Sequence, residues 1–453
     1  MGIVKELKKT RSLCPQCRES IPAVVIQKGS EVFLEKQCSA HGTFSAVISS
    51  DAKHYHLSIG SGDEKKPEQN QLPIVSETGC GSGCCSSVEN LSTCVGFIEI
   101  VSSCNLSCPV CFADSPHKSH VDALEFSEFV NRVSSVIDRK GAIDILQLSG
   151  GEPTIHPEFF KLLGWALSHN GIGHVLLNTN GVRLTNPEFF DQLDNLRDLF
   201  GKLEIYLQFD GLQAAGQKEL RGVDMRKTRK KVVDNCQAAG IPVNLAMTVD
   251  GHNREHLGDV LKFAVENPGI SGVTWQPMFG SGRAYDGFNL EDLTGSPNNG
   301  EVNATVQTPT MRRLNVADII TGVVSQSDGL VAEKDFTPLP CGDPNCHTVA
   351  YLLRGPEGLT GLASLIDLES VQGFLKDRLN YDVQDLIQCG CESEPLGHIL
   401  KQLEIGEDSV LRLVIKPFMD VWTYDQHRVD RCCVHVIGPG GSLQSFCQHY
   451  AMA

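Results

Sequence analysis

Cys104-Asn105-Leu106-Ser107-Cys108-Pro109-Val110-Cys111-Phe112 is the stretch that decides the fold. Three cysteines spaced C-x3-C-x2-C cannot close a four-thiolate site, so a metal or cluster held here keeps one coordination position for chemistry. Phe97-Ile98-Glu99-Ile100-Val101 ahead of them reads as a short strand, which makes the cysteines a loop at a strand end. Three inert core thiols are the plainer alternative, but tight cysteine spacing in a chain without secretory features signals metal more often than packing.

Outward from that loop, short apolar strands alternate with amphipathic helices, the pattern of a parallel α/β sheet or barrel. Ser127 is placed to cap a helix carrying Phe129, Val130, Val133, Val136 and Ile137 on one stripe. Ile143 to Leu148 is the second strand, ending in Gly150-Gly151-Glu152-Pro153 at the carboxyl edge, where α/β folds bind ligands. Strands at 175–177, 205–208, 242–248 and 273–277 follow, with helices at 226–239 and 254–266. This makes about six βα units. Asn178, Asn180, Gln208, Asp210 and Gln276 sit at or just past strand ends, and Cys236 lies on an apolar helix stripe as a core residue. Gly280-Ser281-Gly282-Arg283 after the last strand is either a ligand contact or an ordinary loop.

The flanks are cysteine-rich. Cys14-Pro15-Gln16-Cys17 and, about twenty residues later, Cys38 with His41 form a small metal knuckle for zinc or a single iron, with His41 or a distant cysteine as fourth ligand. Asp63 to Gln71 is a polar linker. Cys80, Cys84, Cys85 and Cys94, threaded by glycines, point to an auxiliary iron-sulfur cluster, or in part to packed thiols. Late in the chain, Cys341, Cys346, one of Cys432 and Cys433, and Cys447 supply a second auxiliary cluster, leaving Cys389 and Cys391 as spare thiols or alternatives. The domains expected are a metal module at 1–60, a linker with the upstream cysteines at 61–95, a barrel at 96–290 and an auxiliary-cluster region at 291–453.

Composition narrows the function. A formal charge of −16 over 453 residues argues against a general nucleic-acid binder, and the basic run at 227–231 reads as a solvated helix face. Eighteen cysteines without a signal-peptide pattern or a bilayer-length apolar run suggest a reducing, cytoplasmic setting.

With these motifs together, the chain resembles the radical S-adenosylmethionine (SAM) superfamily, although Val110 stands where its signature has an aromatic residue and Phe112 follows instead. The resemblance implies a partial (β/α)6 radical SAM barrel flanked by small cysteine-rich N- and C-terminal modules. It also implies a [4Fe-4S] cluster on Cys104, Cys108 and Cys111, with SAM on the remaining iron and a 5'-deoxyadenosyl radical as product. Gly150, Gly151, Glu152 and Pro153 would meet the methionine amino group, while the edges carrying Asn178, Asn180, Gln208, Asp210 and Gln276 would approach the rest of the cofactor. A reducing donor such as flavodoxin or ferredoxin is implied as partner.

The N-terminal knuckle, the Cys-Pro-Val-Cys-Phe-Ala run at 108–113 and the late Cys-Cys and Phe-Cys pairs look like the tetraether-lipid synthase branch. That likeness implies carbon-carbon bond formation on lipid chains at an apolar channel, with peripheral membrane contact. The chain departs from the branch where Cys85 follows Cys84 directly. A modifier of a polar small molecule such as a pterin, and a non-catalytic metal-binding or electron-transfer scaffold, are the alternatives. The GGE motif beside an open-site triad argues against the scaffold, which has no use for a sulfonium pocket.

Overall fold

In the computed structural model, the described residues are 4–56, 93–117, 122–284, 310–338, 343–355, 358–365 and 410–452. The first unit is an antiparallel meander of β1 (Val4–Leu13), β2 (Ser20–Lys28), β3 (Glu31–Cys38) and β4 (Gly42–Ser49). Alternating burial along the first half of β2 turns Ile21, Ala23 and Val25 inward and leaves Ser20 and Pro22 in solvent, as period-two side chains require, and Ile26 is buried as well. Sequence pattern alone marks strands here only at 23–26 and 31–34, between the two halves of the knuckle. β1 was missed because Val4 to Lys9 is mostly charged and only its last residues are buried.

Six parallel strands follow: β5 (Val95–Val101), β6 (Ile143–Gly150), β7 (Ile172–Thr179), β8 (Leu203–Gln208), β9 (Val243–Val249) and β10 (Ile270–Pro277), each paired with the next. Helices at Phe126–Lys140, Phe159–Ser168, Arg226–Ala239 and Leu257–Glu266 cover the outer face. The first of these starts one residue before Ser127, and Glu125 at its N-cap makes no side-chain cap bond, so apolar packing of Phe129, Val133 and Val136 fixes it instead. Cys236 is fully buried in the same core.

The residues after 291 are interleaved with what precedes them. β11 (Thr310–Met311) adds to β4. β12 (Thr337–Pro338), β13 (Thr348–Gly355) and β14 (Gly358–Gly361) form an antiparallel edge, and β15 (Val410–Ile415) pairs in parallel with β10. At the opposite edge β16 (Val434–Ile437) pairs in parallel with β5 and carries β17 (Leu443–Ser445). The six strands plus β15 and β16 thus make eight consecutive parallel strands in a 12-stranded sheet. Val349 and Tyr351 of β13 share an apolar cluster with Val95, Phe97 and Val434, so the curled edges pack without pairing.

The ribbon is pinned to the C-terminal region by a buried lysine. The Lys36 ammonium donates to Ser12 Oγ at 3.1 Å, Val421 O at 2.5 Å and Trp422 O at 2.9 Å, using all three of its protons. Phe44 meets Trp422 edge-on at 5.7 Å, and Lys8 pairs with Asp425 at 2.7 Å. Among the described residues no helix is long and apolar enough to cross a membrane.

Candidate active site and metal centres

Cys104, Cys108 and Cys111 follow β5 and line one cavity of about 250 Å³ with Gly150, Gly151, Glu152, Asn178, Asn180, Gln208 and Gln276. Burial pushes the Cys104 thiol up to about 12 and also raises Cys108, so metal binding must supply the drive to deprotonate them. The loop is held by its own carbonyls. Arg283 donates to Cys108 O at 3.0 Å and to Ser115 O at 2.9 Å, while Arg221 donates to Val110 O at 3.1 Å. Gly282 has a positive φ of 54°, and a Cβ there would lie 2.5 Å from Cys111 O. The Gly280 to Arg283 loop is therefore a strap over the cysteines, a role its sequence did not disclose.

Gly150 and Gly151 let the end of β6 touch this loop. A Cβ on Gly150 would stand 2.1 Å from Val101 O, and one on Gly151 2.0 Å from Ser103 O. The Glu152 carboxylate is consumed nearby. It accepts from Thr154 N at 3.2 Å, Thr154 Oγ1 at 2.6 Å, Thr179 Oγ1 at 2.7 Å and Asn180 N at 2.8 Å. Glu152 is thus a brace between the ends of β6 and β7 rather than a free ligand group. Pro153 opens the short turn behind it. Asn180 Nδ2 donates to Asn105 Oδ1 at 2.7 Å, and Asn178 Nδ2 to Ser149 Oγ at 3.0 Å.

Asp210 is likewise engaged. It takes Arg221 through two bonds of 2.7 and 2.9 Å and Arg229 at 3.0 Å, all three side chains out of solvent, and the Thr248 amide at 3.0 Å. Burial opposes its charge, but the two guanidiniums win and hold it below the usual carboxylate range. Two arginines against one carboxylate leave a net positive charge beside Cys108, suited to a thiolate-held cluster or a ligand carboxylate. Arg221 was invisible to the sequence reading because nothing local ties it to the cysteines. Gln276 Nε2 donates to the Tyr206 hydroxyl at 2.8 Å, and Gln208 lies against Arg221.

Three thiols opening on one cavity, with glycines where any Cβ would collide, fit a [4Fe-4S] cluster that leaves a position for SAM. The N-terminal knuckle is equally well formed. Cys14, Cys17, Cys38 and His41 bring their ligand atoms within 4.8 Å of one another. His41 Nδ1 lies 3.6 Å from Cys14 Sγ and 3.5 Å from Cys38 Sγ, and Cys17 and Cys38 are 3.9 Å apart. Zn–S bonds of about 2.3 Å put tetrahedral sulfurs about 3.8 Å apart, so the spacing matches a Cys3His site. The Ala40 amide, with His41, pulls Cys38 down to about 6, a thiolate ready for metal.

A second cysteine cavity is lined by Cys346, Cys432, Cys433 and Cys447, together with Lys416 and Arg428. Both members of the adjacent pair reach it. Burial raises Cys346, Cys432 and Cys447. His347 stands in its wall, and neither ring nitrogen hydrogen-bonds to a described residue. Orphaned polar groups beside clustered thiols are what a missing metal group leaves behind. Cys94 lies at the N-terminal end of β5, about 20 Å of strand from the Cys104 end, and is buried in the same apolar cluster as Cys433. Cys80, Cys84, Cys85, Cys341, Cys389 and Cys391 are outside the described residues.

Residues 98–264 match the Radical SAM superfamily model, and residues 6–50 match the HMPTM N-terminal zinc ribbon domain. The chain is 25% identical over 497 aligned positions to the 7,8-dihydro-6-hydroxymethylpterin dimethyltransferase of Methanocaldococcus jannaschii, covering 98% of this chain and 93% of that one. It is 28% identical to the mycofactocin maturase MftC of Mycobacterium ulcerans over 37% of this chain and 42% of the relative. Among solved structures, Streptococcus suis SuiB bound to S-adenosylmethionine aligns over 42% of each chain, with 17% identity and a TM-score of 0.35. With the sheet, the open cysteine triad and the matched segment in register, residues 98–264 form a radical SAM superfamily domain behind a zinc ribbon, and the chain is a radical SAM enzyme.

Proposed function

We propose that the enzyme takes a hydrogen atom from a carbon of a compact, polar, ring-bearing molecule of the pterin class, as the opening step of a carbon-carbon bond formation such as methylation. When bound, the cluster and SAM supply a primary carbon radical able to attack an unactivated C–H bond, which no side chain here can do. Cys104, Cys108 and Cys111 hold the cluster, with electrons from a carrier of the flavodoxin or ferredoxin type. Arg283 and Arg221 fix the loop, Glu152 braces the strand ends around the cofactor, and Asp210 aims Arg221. Asn178, Asn180, Gln208 and Gln276 line the chamber toward the cofactor. The cysteines of the second cavity hold an auxiliary cluster, and the knuckle holds zinc.

The cavity's two unlike walls carry this reading. One wall presents Gln147, Tyr206, Asn244, Thr274 and Gln276; the other presents Phe97, Phe279, Phe418 and Phe446. A flat heterocycle uses both, stacking on rings while its edge meets uncharged donors and acceptors. At the end away from the cysteines the chamber is lined by the ion pair of buried Glu204 with half-buried Arg412, charges that an extended hydrocarbon chain would have to pass. The pterin-related relative spanning nearly the whole chain supports the same class.

A second reading is lipid-chain coupling, which the aromatic wall favours. Anaerobic protein with SAM and a reductant is given a deuterated dihydropterin or a deuterated isoprenoid lipid, and 5'-deoxyadenosine is analysed by mass. Deuterium from the pterin supports the first reading, and deuterium from the lipid alone replaces it with the second. Deoxyadenosine formation that persists in Cys108→Ala overturns the assignment of the triad.

A further inference from the structure

The partition between the main chamber and the second cysteine cavity is one side chain thick: His347, Lys416, Phe418, Val434 and Phe446 line both. Lys416 is placed by the sheet, since it directly follows β15 and its amide donates to Trp275 O at 3.0 Å. Its ammonium makes no hydrogen bond or ion pair with any described residue, and its ring neighbour is Phe418, 5.1 Å to the centroid. The thiols of Cys346, Cys432, Cys433 and Cys447 line the same cavity. Arg428 faces the same thiols from the helix Gln426–Asp430, with Asp343 beside it and Arg431 at the rim. Lys416 is half-buried, with its ammonium facing a cavity of thiols; such a charge is stabilised by negative charge beside it, and neutral thiols supply none. Thiolates bound to metal do.

We propose that Lys416 is the counter-cation of an iron-sulfur cluster held by Cys346, Cys447 and one of the Cys432–Cys433 pair, and that it raises that cluster's reduction potential on the side facing the substrate chamber. This rests on the reading that those cysteines hold a cluster. Lys416 is a positioning residue and touches no reacting atom. A positive charge stabilises the reduced cluster, which carries one more electron, so removing it shifts the potential downward.

The test uses the full chain carrying Cys104→Ala, Cys108→Ala and Cys111→Ala, so that the main site contributes no signal. It is reconstituted anaerobically and titrated under electron paramagnetic resonance. A signal abolished by Cys447→Ala is assigned to the second cavity. Adding Lys416→Met is expected to move its midpoint to lower potential at unchanged iron and sulfide content, and Lys416→Arg to restore it. Loss of iron in the Met variant that Arg rescues also supports the counter-charge. An unmoved midpoint, or loss of iron in both variants, overturns the role of Lys416. No iron that depends on Cys447 overturns instead the cluster reading beneath it.

Discussion

Glu204 and Arg412 meet across the deep end of the chamber, and removing one partner makes a sharp test of how the barrel is held shut. Glu204 lies on β8 and Arg412 on β15, with β9 and β10 between them, so on a flat sheet about 14 Å would separate the strands. Their ion pair exists because the sheet curls. Burial alone would raise the Glu204 carboxyl, but Arg412, with His174 and Ser271, overrides it and holds it down to about 2 from 4.5. That difference corresponds to about 3 kcal/mol of stability, present above pH 4.5 and lost as the pH falls toward 2. Arg412→Met keeps the packing and strands the carboxylate, at a cost of about 3–5 kcal/mol near neutral pH. In the variant, burial makes Glu204 easier to protonate, so the penalty shrinks in mild acid. Thermal unfolding followed by circular dichroism should show a wide gap from the wild type at pH 8 and a narrower one at pH 5. Glu204→Gln with Arg412→Met should recover most of the loss. An equal gap at both pH values, or a variant as stable as the wild type, would refute the argument.

Gly151→Ala places a methyl 2.0 Å from Ser103 O and 2.3 Å from Ser103 C, both backbone atoms, so the cysteine loop must shift. SAM cleavage should fall about tenfold for each ~1.4 kcal/mol added to the barrier by that shift, with the circular dichroism spectrum retained. Asp210→Asn leaves Arg221 and Arg229 buried against each other, and should cost about 3–5 kcal/mol in unfolding measurements, whereas a neutral result would mean the cations find other partners. His41→Ala should remove zinc from the ribbon by metal analysis while leaving iron on the triad; retained zinc would show that a distant cysteine completes the site.

Much of this molecule is legible in the chain itself, wherever the deciding contacts are close in sequence. The triad, the Cys14–His41 knuckle and the alternation that produced β5 to β10 all depend on spacing within a turn, a hairpin or one βα unit. Period alone could not say where the late strands go. β15 and β16 are short apolar runs that would suit either edge, and only complementarity with β10 and β5 assigns them. Glu152 and Asp210 stood out in sequence as ligand groups, yet tertiary packing spends both on internal donors. Arg221 and Lys416 carried no local mark, and the glycine-flanked Arg283 did not show what it binds, since a lysine or arginine looks the same in sequence whether solvated or sequestered. Whether a charge is paired, and by what, is settled by elements hundreds of residues apart brought within 3 Å, as Glu99 and Tyr450 are at 2.5 Å. The local code therefore named the chemistry, and the three-dimensional closure of the sheet decided which residues surround it.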